Sequence, residues 1–386
     1  MNILFIGSSS DWHVDLWVKY FSKNHKVYLF SDKEDYLKNQ PFNNVKIIES
    51  EGYLGKILNF FNIKSHLLFQ FNKLISVKHF AMRVDYIIKE FDIDVVHAHS
   101  LYYGYLLSFI NLDLPKVFTP MGSDIIIYSQ KSRIHKFMAK RVFSKISIIT
   151  SDSFLLQKSG YKFGAKKERN YIIQNGVDSS IFFPKDNNLR KAYNINNDEI
   201  LFFSPRAITP LYNIDIIIDA IGNLKQSGYK VKCMFSFAFG SKYSSKLKEQ
   251  IRQLGLENNI IWLGFLDYKQ MAEHYNAADI IISVPSSDSS PKSVYEAMFC
   301  KKPVVVSNLD WSYELLSECE CLVRVNVRDI LQLSEALSNL IDNTELRMQI
   351  SINAFKFAHK YFDYENNMKK MEKIMFQSLS SNDQFK

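Results

Sequence analysis

Cysteine is scarce in this chain of 386 residues: Cys233, Cys300, Cys319 and Cys321 are all it has, and none stands in a CxxC spacing. That pattern excludes a disulfide framework or a four-cysteine zinc site as the organising element. The Cys319-Glu320-Cys321 triplet reads as thiols beside a strand, and unpaired thiols suit a reducing cytoplasm. Glycine and proline are few, 13 and 9, which argues against a long disordered or collagen-like segment. No apolar run reaches the ~18 uncharged residues that a transmembrane helix needs. The opening MNILFIGSSSDWH has no basic residue ahead of its short apolar run, so it reads as a first β-strand and not as a secretion signal. Gly7-Ser8-Ser9-Ser10 follows that strand without being a GxGxxG fingerprint.

What is present is a globular mixture, 47% hydrophobic and 23% charged. The length is too great for one ordinary core and suits two domains. A net charge of +8 points to acidic partners: nucleic acid, anionic lipid or phosphorylated substrates. No nucleic-acid recognition motif occurs and the aromatics read as core, which sets nucleic acid aside.

Short apolar runs alternate with helical stretches, the mark of parallel sheets with crossover helices. Strands are expected at Ile3–Gly7, Lys26–Phe30, Val45–Glu49, Asp94–His99, Lys116–Pro120, Ile146–Thr150 and Tyr171–Gln174. The series restarts at Ile200–Ser204 and continues through Lys230–Phe235, Ile260–Leu263, Asp279–Val284, Pro303–Ser307 and Cys321–Val325. Near-continuous apolar runs such as Ile3-Leu4-Phe5-Ile6 fit strands buried on both faces. The expected fold class is therefore α/β, with two Rossmann-like domains whose parallel sheets face a central cleft. The domains are expected at 1–178 and 179–360, joined near Asn175–Asp186. Residues 361–386 should form a C-terminal helix packing back toward the first domain.

Two stretches of the first half are basic and amphipathic. Tyr53–Phe91 carries Lys56, Lys64, Lys73, Lys78, Arg83 and Lys89 among apolar positions such as Ile57, Leu58, Phe60 and Phe61. Lys131–Lys145 carries Lys131, Arg133, Lys136, Lys140, Arg141 and Lys145. Such helices often lie on anionic membranes. The plainer reading is crossover helices with solvated lysines.

Ligands of open parallel sheets bind at the carboxyl ends of the strands. The strand end with the most chemistry is Pro285-Ser286-Ser287-Asp288-Ser289-Ser290-Pro291-Lys292-Ser293-Val294-Tyr295-Glu296. Ser290 is a natural N-cap and Pro291 a natural first helical residue. The free amides of that helix start make an anion site, and Lys292 adds a charge. His97 and His99 lie two apart on one strand and share a face. They are expected to be buried and hydrogen-bonded, with His99 nearer the strand end.

This segment resembles the signature of retaining family 4 glycosyltransferases, in which two acidic residues eight positions apart are followed by Ala-Met. Gln174-Asn175-Gly176-Val177-Asp178 resembles that family's interdomain crossing, and Ser204-Pro205-Arg206 the strand end that carries its phosphate-binding Arg. Asp94–His99 and Thr119-Pro120-Met121-Gly122-Ser123-Asp124 resemble its first-domain strand ends. The likeness covers nearly the whole chain and implies the GT-B fold, with the acceptor mainly in the first domain and the nucleotide sugar in the second. It implies that Arg206 clamps the donor diphosphate, Asp288 holds sugar hydroxyls and Glu296 holds the ribose, with Lys292, Ser290 and Ser293 completing the anion site. Asp124 would stand nearest the reaction, with Gly7, Ser8, His99 and Ser123 on the acceptor side. No metal or cofactor is expected, since no Asp-x-Asp motif stands at a donor-side strand end.

Four features depart from the family pattern: Leu211 where a Lys is usual, Ser289-Ser290-Pro291 in place of Gly-Phe-Gly, Asp288 in place of Glu, and Met121 in place of His. Lys292 is expected to replace the missing Lys. The activity implied is transfer of a sugar to a glycan or lipid-linked acceptor in bacterial surface-glycan synthesis, by a cytoplasmic protein at the inner face of the membrane. The competing readings are a non-catalytic GT-B partner subunit and a nucleotide-sugar epimerase or hydrolase.

Overall fold

The computed structural model describes residues 1–9, 11–31, 45–49, 66–236, 242–316 and 319–383. They divide into two compact units, Met1–Asn175 with Glu365–Lys386, and Gly176–Tyr364.

The first unit is built on a seven-stranded sheet in the order β3-β2-β1-β4-β5-β6-β7, with every pairing parallel. The strands are β1 (Asn2–Ile6), β2 (Lys26–Ser31), β3 (Val45–Glu49), β4 (Val95–His99), β5 (Lys116–Thr119), β6 (Ile148–Ser151) and β7 (Asn170–Ile172). Alternation sends Leu4, Ile6, Val96, Ala98 and Phe118 into one core, shared with the helices His66–Glu90, Leu101–Leu107 and Arg133–Lys145. Phe5, His97 and His99 meet Trp17 and Phe21 of the Trp12–Phe21 helix instead.

The second unit repeats the plan. Its six strands run β10-β9-β8-β11-β12-β13, again all parallel. They are β8 (Ile200–Ser204), β9 (Val231–Ser236), β10 (Ile260–Gly264), β11 (Ile280–Ser283), β12 (Val304–Ser307) and β13 (Val323–Val325). In both sheets the order reverses beside the first strand, between β1 and β4 and between β8 and β11. Neighbouring crossovers leave such a point in opposite directions, which opens a crevice at the carboxyl ends.

The chain leaves the first unit at Asn175 and returns at Glu365. Two segments lie together there: Val177 N donates to Phe362 O at 2.8 Å, and Tyr364 N to Val177 O at 3.1 Å. Gly176 makes that approach feasible, because its φ is +73° and a Cβ would lie 2.6 Å from Tyr364 Cα. The last helix, Tyr364–Asp383, is tied to the first unit by polar contacts. His25 Nε2 is 2.6 Å from Glu372, Lys23 Nζ is 2.7 Å from Glu365, and Lys370 Nζ donates to Ile172 O at 3.0 Å. Burial, reinforced by Glu372 and Glu365, pushes the Tyr20 hydroxyl up to about 12.

Candidate functional site

The residues that flank the second switch point converge. Arg206 follows β8, and Asp288 and Ser293 follow β11, so the crossover order brings them together across more than eighty residues of chain. Arg206 Nη2 is 2.7 Å from Asp288 Oδ2, and Nη1 donates to Ser293 Oγ at 2.8 Å. The guanidinium also lies over the Tyr212 ring, 4.3 Å from its centroid. Both ionic side chains are mostly buried, 11% and 15% exposed, which makes this pair firmer than a surface ion pair.

The helix carrying the second half of the site spans Lys292–Phe299. Pro291, not Ser290, occupies its N-cap position, with φ −75° and ψ 94°. The extended ψ delays the helix by one residue, so Ser290 stands outside and the first helical residues are Lys292 and Ser293. Lys292 Nζ sits 4.9 Å from the Tyr268 ring centroid and 3.4 Å from its hydroxyl. Leu211, at the position of the expected lysine, is exposed and contributes its backbone: Ser286 N donates to Leu211 O at 2.8 Å.

Glu296 is buried on the same helix, and Tyr275 OH lies 3.0 Å from its Oε2 and 2.9 Å from Ser293 O. Burial pushes the Glu296 carboxyl from its ordinary 4.5 up to about 7, against the pull of Lys292, the Tyr275 hydroxyl and Arg206. Between those values the folded protein holds a proton that the unfolded chain has lost. Stability therefore falls as pH rises from about 4.5 to about 7. Thermal melts of Glu296→Gln should move up relative to the wild type between pH 5 and pH 8. A Tm difference that stays constant across that range would refute this account.

Two residues that the sequence does not single out lock the site loops. Asn213 is fully buried with φ +51°, the left-handed region that Asn tolerates. Its Nδ2 donates to Val284 O at 2.9 Å and to Ser286 Oγ at 3.0 Å, while Oδ1 accepts from Arg328 Nη1 at 2.9 Å. Arg328 in turn binds Asp215 at 2.7 Å. The side chain thus joins the loop after β8, which bears Arg206, to the loop after β11, which bears Asp288. An Asn just before an amphipathic helix looks in sequence like a simple cap; here its side chain makes no cap bond. Tyr212 is equally silent in sequence, because stacking under Arg206 needs the folded turn.

The first-unit candidates are spread around the β1/β4 switch point and the end of β5. Asp124 is engaged by backbone: its Oδ2 accepts from Leu101 N at 2.8 Å and its Oδ1 from Met121 N at 3.1 Å. Burial pushes its carboxyl up to about 6 even so, with those amides pulling the other way. Ser123 beside it is exposed. His97 and His99 were both expected to be hydrogen-bonded, and only His97 is, to Thr119 Oγ1 at 2.7 Å. His99 is 1% exposed, and neither ring nitrogen has a partner among the described residues. Its ring packs 4.3 Å from His97 and 5.5 Å from Trp17, an apolar surrounding whose burial drives it down to about 3. Gly7 has a packing reason: a Cβ there would meet Val14 at 2.8 Å. Ser8 O accepts from Asp11 N at 3.1 Å, closing the turn into the first helix.

Among the described residues, no group of three or more His, Cys, Asp or Glu converges as a metal site, and no helix is long and apolar enough to cross a membrane. The cysteines are free thiols.

Two doubly wound parallel units, with Arg206, Asp288 and Ser293 gathered at the switch point of the second, match the GT-B class. Residues 2–153 match the family model described as glycosyl transferase 4-like, and residues 185–357 that of glycosyl transferases group 1. The chain is a glycosyltransferase of the GT-B fold. It is 24% identical over 301 residues to an uncharacterized glycosyltransferase of Methanocaldococcus jannaschii, covering 76% of this chain and 78% of that one. It is 23% identical over 250 residues to the alpha-monoglucosyldiacylglycerol synthase of Streptococcus pneumoniae, covering 60% and 56%. Among solved structures, Anabaena Alr3699/HepE in complex with UDP superposes with a TM-score of 0.78 at 19% identity, over 98% of this chain and 100% of that one. The sucrose-phosphate synthase of Thermosynechococcus elongatus gives 0.76 at 14%, over 99% and 100%.

Proposed function

We propose that the chain is a retaining, metal-independent hexosyltransferase, which moves a sugar from a nucleotide donor to a glycan or lipid-linked acceptor in bacterial surface polysaccharide or glycoconjugate synthesis. It works in the cytoplasm, peripheral to the inner face of the membrane. The observation that carries the reading is the convergence of Arg206, Asp288 and Ser293 at the second switch point. Support for the donor class comes from the Anabaena protein, which holds UDP, and support for a lipid acceptor from the pneumococcal relative, named for a glycolipid product.

In this reading the diphosphate competes with Asp288 for the Arg206 guanidinium, whose planar fork suits two phosphate oxygens. The amides of Lys292 and Ser293, with Ser290 beside them and the Lys292 ammonium, complete the anion site. As the bond from the anomeric carbon to the diphosphate breaks, negative charge grows on the leaving oxygen, and these fixed donors stabilise it without a metal ion. Asp288, once released, accepts sugar hydroxyls, and Glu296 accepts the ribose. On the acceptor side Ser8 and Ser123 are the accessible groups. Asp124 acts from behind them by holding the Leu101 and Met121 amides, Gly7 by admitting Val14, and His99 by filling the layer beneath.

A thermal-shift screen of nucleoside diphosphates and their sugars tests this. One of them should stabilise the protein by about 2.7 kcal/mol at a hundredfold excess over its Kd. Absence of any shift would identify a partner subunit without a donor site. Conversion of the nucleotide sugar without an acceptor would identify an epimerase or hydrolase.

A further inference from the structure

One layer of the first unit presents a surface that its fold does not use. The helices His66–Glu90, Leu101–Leu107 and Arg133–Lys145 lie side by side over one face of the sheet and share one core. Lys56, Lys64 and the apolar positions Ile57–Phe61 of the first basic stretch lie outside the described residues, and described side chains on its helix begin at Ser76. From there the inward positions Val77, Phe80, Val84 and Ile87 are buried, while Lys78, Met82, Arg83, Tyr86 and Lys89 face out.

The Arg133–Lys145 helix divides in the same way. Met138, Ala139, Val142 and Phe143 go inward, and Arg133, Ile134, Lys136, Phe137, Lys140 and Lys145 go outward. The outward side is therefore not a plain solvated face. Ile134 is 55% exposed, Phe137 61%, and Tyr128 on the preceding turn 55%; Met82 and Tyr86 on the His66–Glu90 helix, which packs on the far side of Leu101–Leu107, are each 64%. These side chains are interleaved with cations. From Ile125 to Ser151 the chain holds Lys131, Arg133, Lys136, Lys140, Arg141 and Lys145 and no carboxylate. The layer's acids are Asp85 and Glu90 on the His66–Glu90 helix and Asp113 in the loop before β5. Arg141 braces the surface, lying 4.1 Å over Phe109 and donating to Ser108 Oγ at 2.9 Å.

We infer that this outer face docks on an anionic lipid bilayer, with Ile134, Phe137 and Tyr128 entering the headgroup region while the lysines and arginines pair with lipid phosphates. Charge complementarity selects the occupant, since the cations need a negative surface and the apolar tips need an apolar phase beneath it. Nucleic acid fits the cations but offers nothing to Ile134 or Met82, which cannot stack on bases as aromatic side chains do. The inference deepens the proposed membrane location by naming the surface that makes the contact.

The test is sedimentation of the full chain with vesicles of phosphatidylcholine alone or with about 30% phosphatidylglycerol, a content that gives a strongly negative surface. Binding is expected only to the anionic vesicles and should weaken at high salt. Lys136→Ala with Lys140→Ala should lower the partition coefficient roughly 30-fold. Ile134→Ser with Phe137→Ser should lower it as well, although no charge is removed. Both pairs are exposed and outside the donor site, so the thermal shift with nucleoside diphosphates should stay unchanged.

Equal binding to both vesicle types, no binding, or indifference to both pairs of substitutions overturns the inference. So does displacement from vesicles by duplex DNA at equal phosphate. Failure with the vesicles while the nucleotide shift persists removes this surface alone. Loss of the nucleotide shift with vesicle binding intact removes the transferase reading and leaves the surface standing.

Discussion

Replacing Arg206 by alanine should lower kcat/KM for the donor about 1,000-fold while the protein stays folded. The magnitude follows from removing a fixed charge at the oxygen where negative charge develops, which alone costs about 100- to 1,000-fold for a single neutral donor. The substitution also leaves the mostly buried Asp288 carboxylate without its partner and facing an incoming diphosphate. Repulsion then adds to the lost attraction. Arg206→Lys separates the two contributions. It restores the charge but not the fork that reaches Asp288 and Ser293 together, so it should recover only part of the rate. Steady-state kinetics with circular dichroism as the folding control decides the matter. An alanine variant within tenfold of wild type would mean that the diphosphate lies elsewhere.

The second large effect is expected at Asn213, which touches no proposed substrate group. Asn213→Leu leaves the buried Val284 O without this partner, removes the bonds to Ser286 Oγ and Arg328 Nη1, and forces a branched residue into a left-handed conformation. An unsatisfied buried group costs about 1–3 kcal/mol, so a loss near 3 kcal/mol is expected in denaturant unfolding. Asn213→Gly tests the side chain alone, because glycine tolerates the backbone and makes none of the bonds. It should raise the donor KM by freeing the loops after β8 and β11 from each other, with less effect on stability than the leucine variant. If the glycine variant matches wild type in both readouts, Asn213 is not a clasp.

Part of this molecule is legible without coordinates. The apolar runs at Ile3–Ile6, Ile200–Ser204 and Asp279–Val284 announce buried parallel strands, because a strand covered by helices on both faces has no polar side to show. The observed strands lie at the expected places with ends shifted by one or two residues, as at β4, which begins at Val95 and not Asp94, and β13, which begins at Val323 and not Cys321. Two such series in succession imply two Rossmann-like halves, and the resemblance of the strand-end motifs to family 4 glycosyltransferases implies the GT-B fold. Arg206 and the Asp288–Glu296 segment stand out for a local reason, since a charged residue directly after an apolar strand lies at the carboxyl edge where ligands bind.

The rest depends on distance in sequence. The pairing of Arg206 with Asp288 spans 82 residues and that of Asn213 with Arg328 spans 115, and no local pattern encodes which loops a crossover brings together. Burial is likewise a property of the assembled layers. Glu296 stands out in sequence by its spacing from Asp288, but the burial that pushes its carboxyl up to about 7 comes from what packs around it. His99 is buried as its strand pattern suggests, yet its enclosure by Trp17 and His97 leaves it, among the described residues, without the hydrogen bond expected of it. Ser290 looks like a cap, and the ψ of Pro291 moves the helix past it. Strand order, the exposed apolar side chains among the lysines of Lys131–Lys145 and the clasp at Asn213 emerge only when helices and strands distant along the chain come to share a surface. What can be read residue by residue is period and chemistry; partnership belongs to the fold.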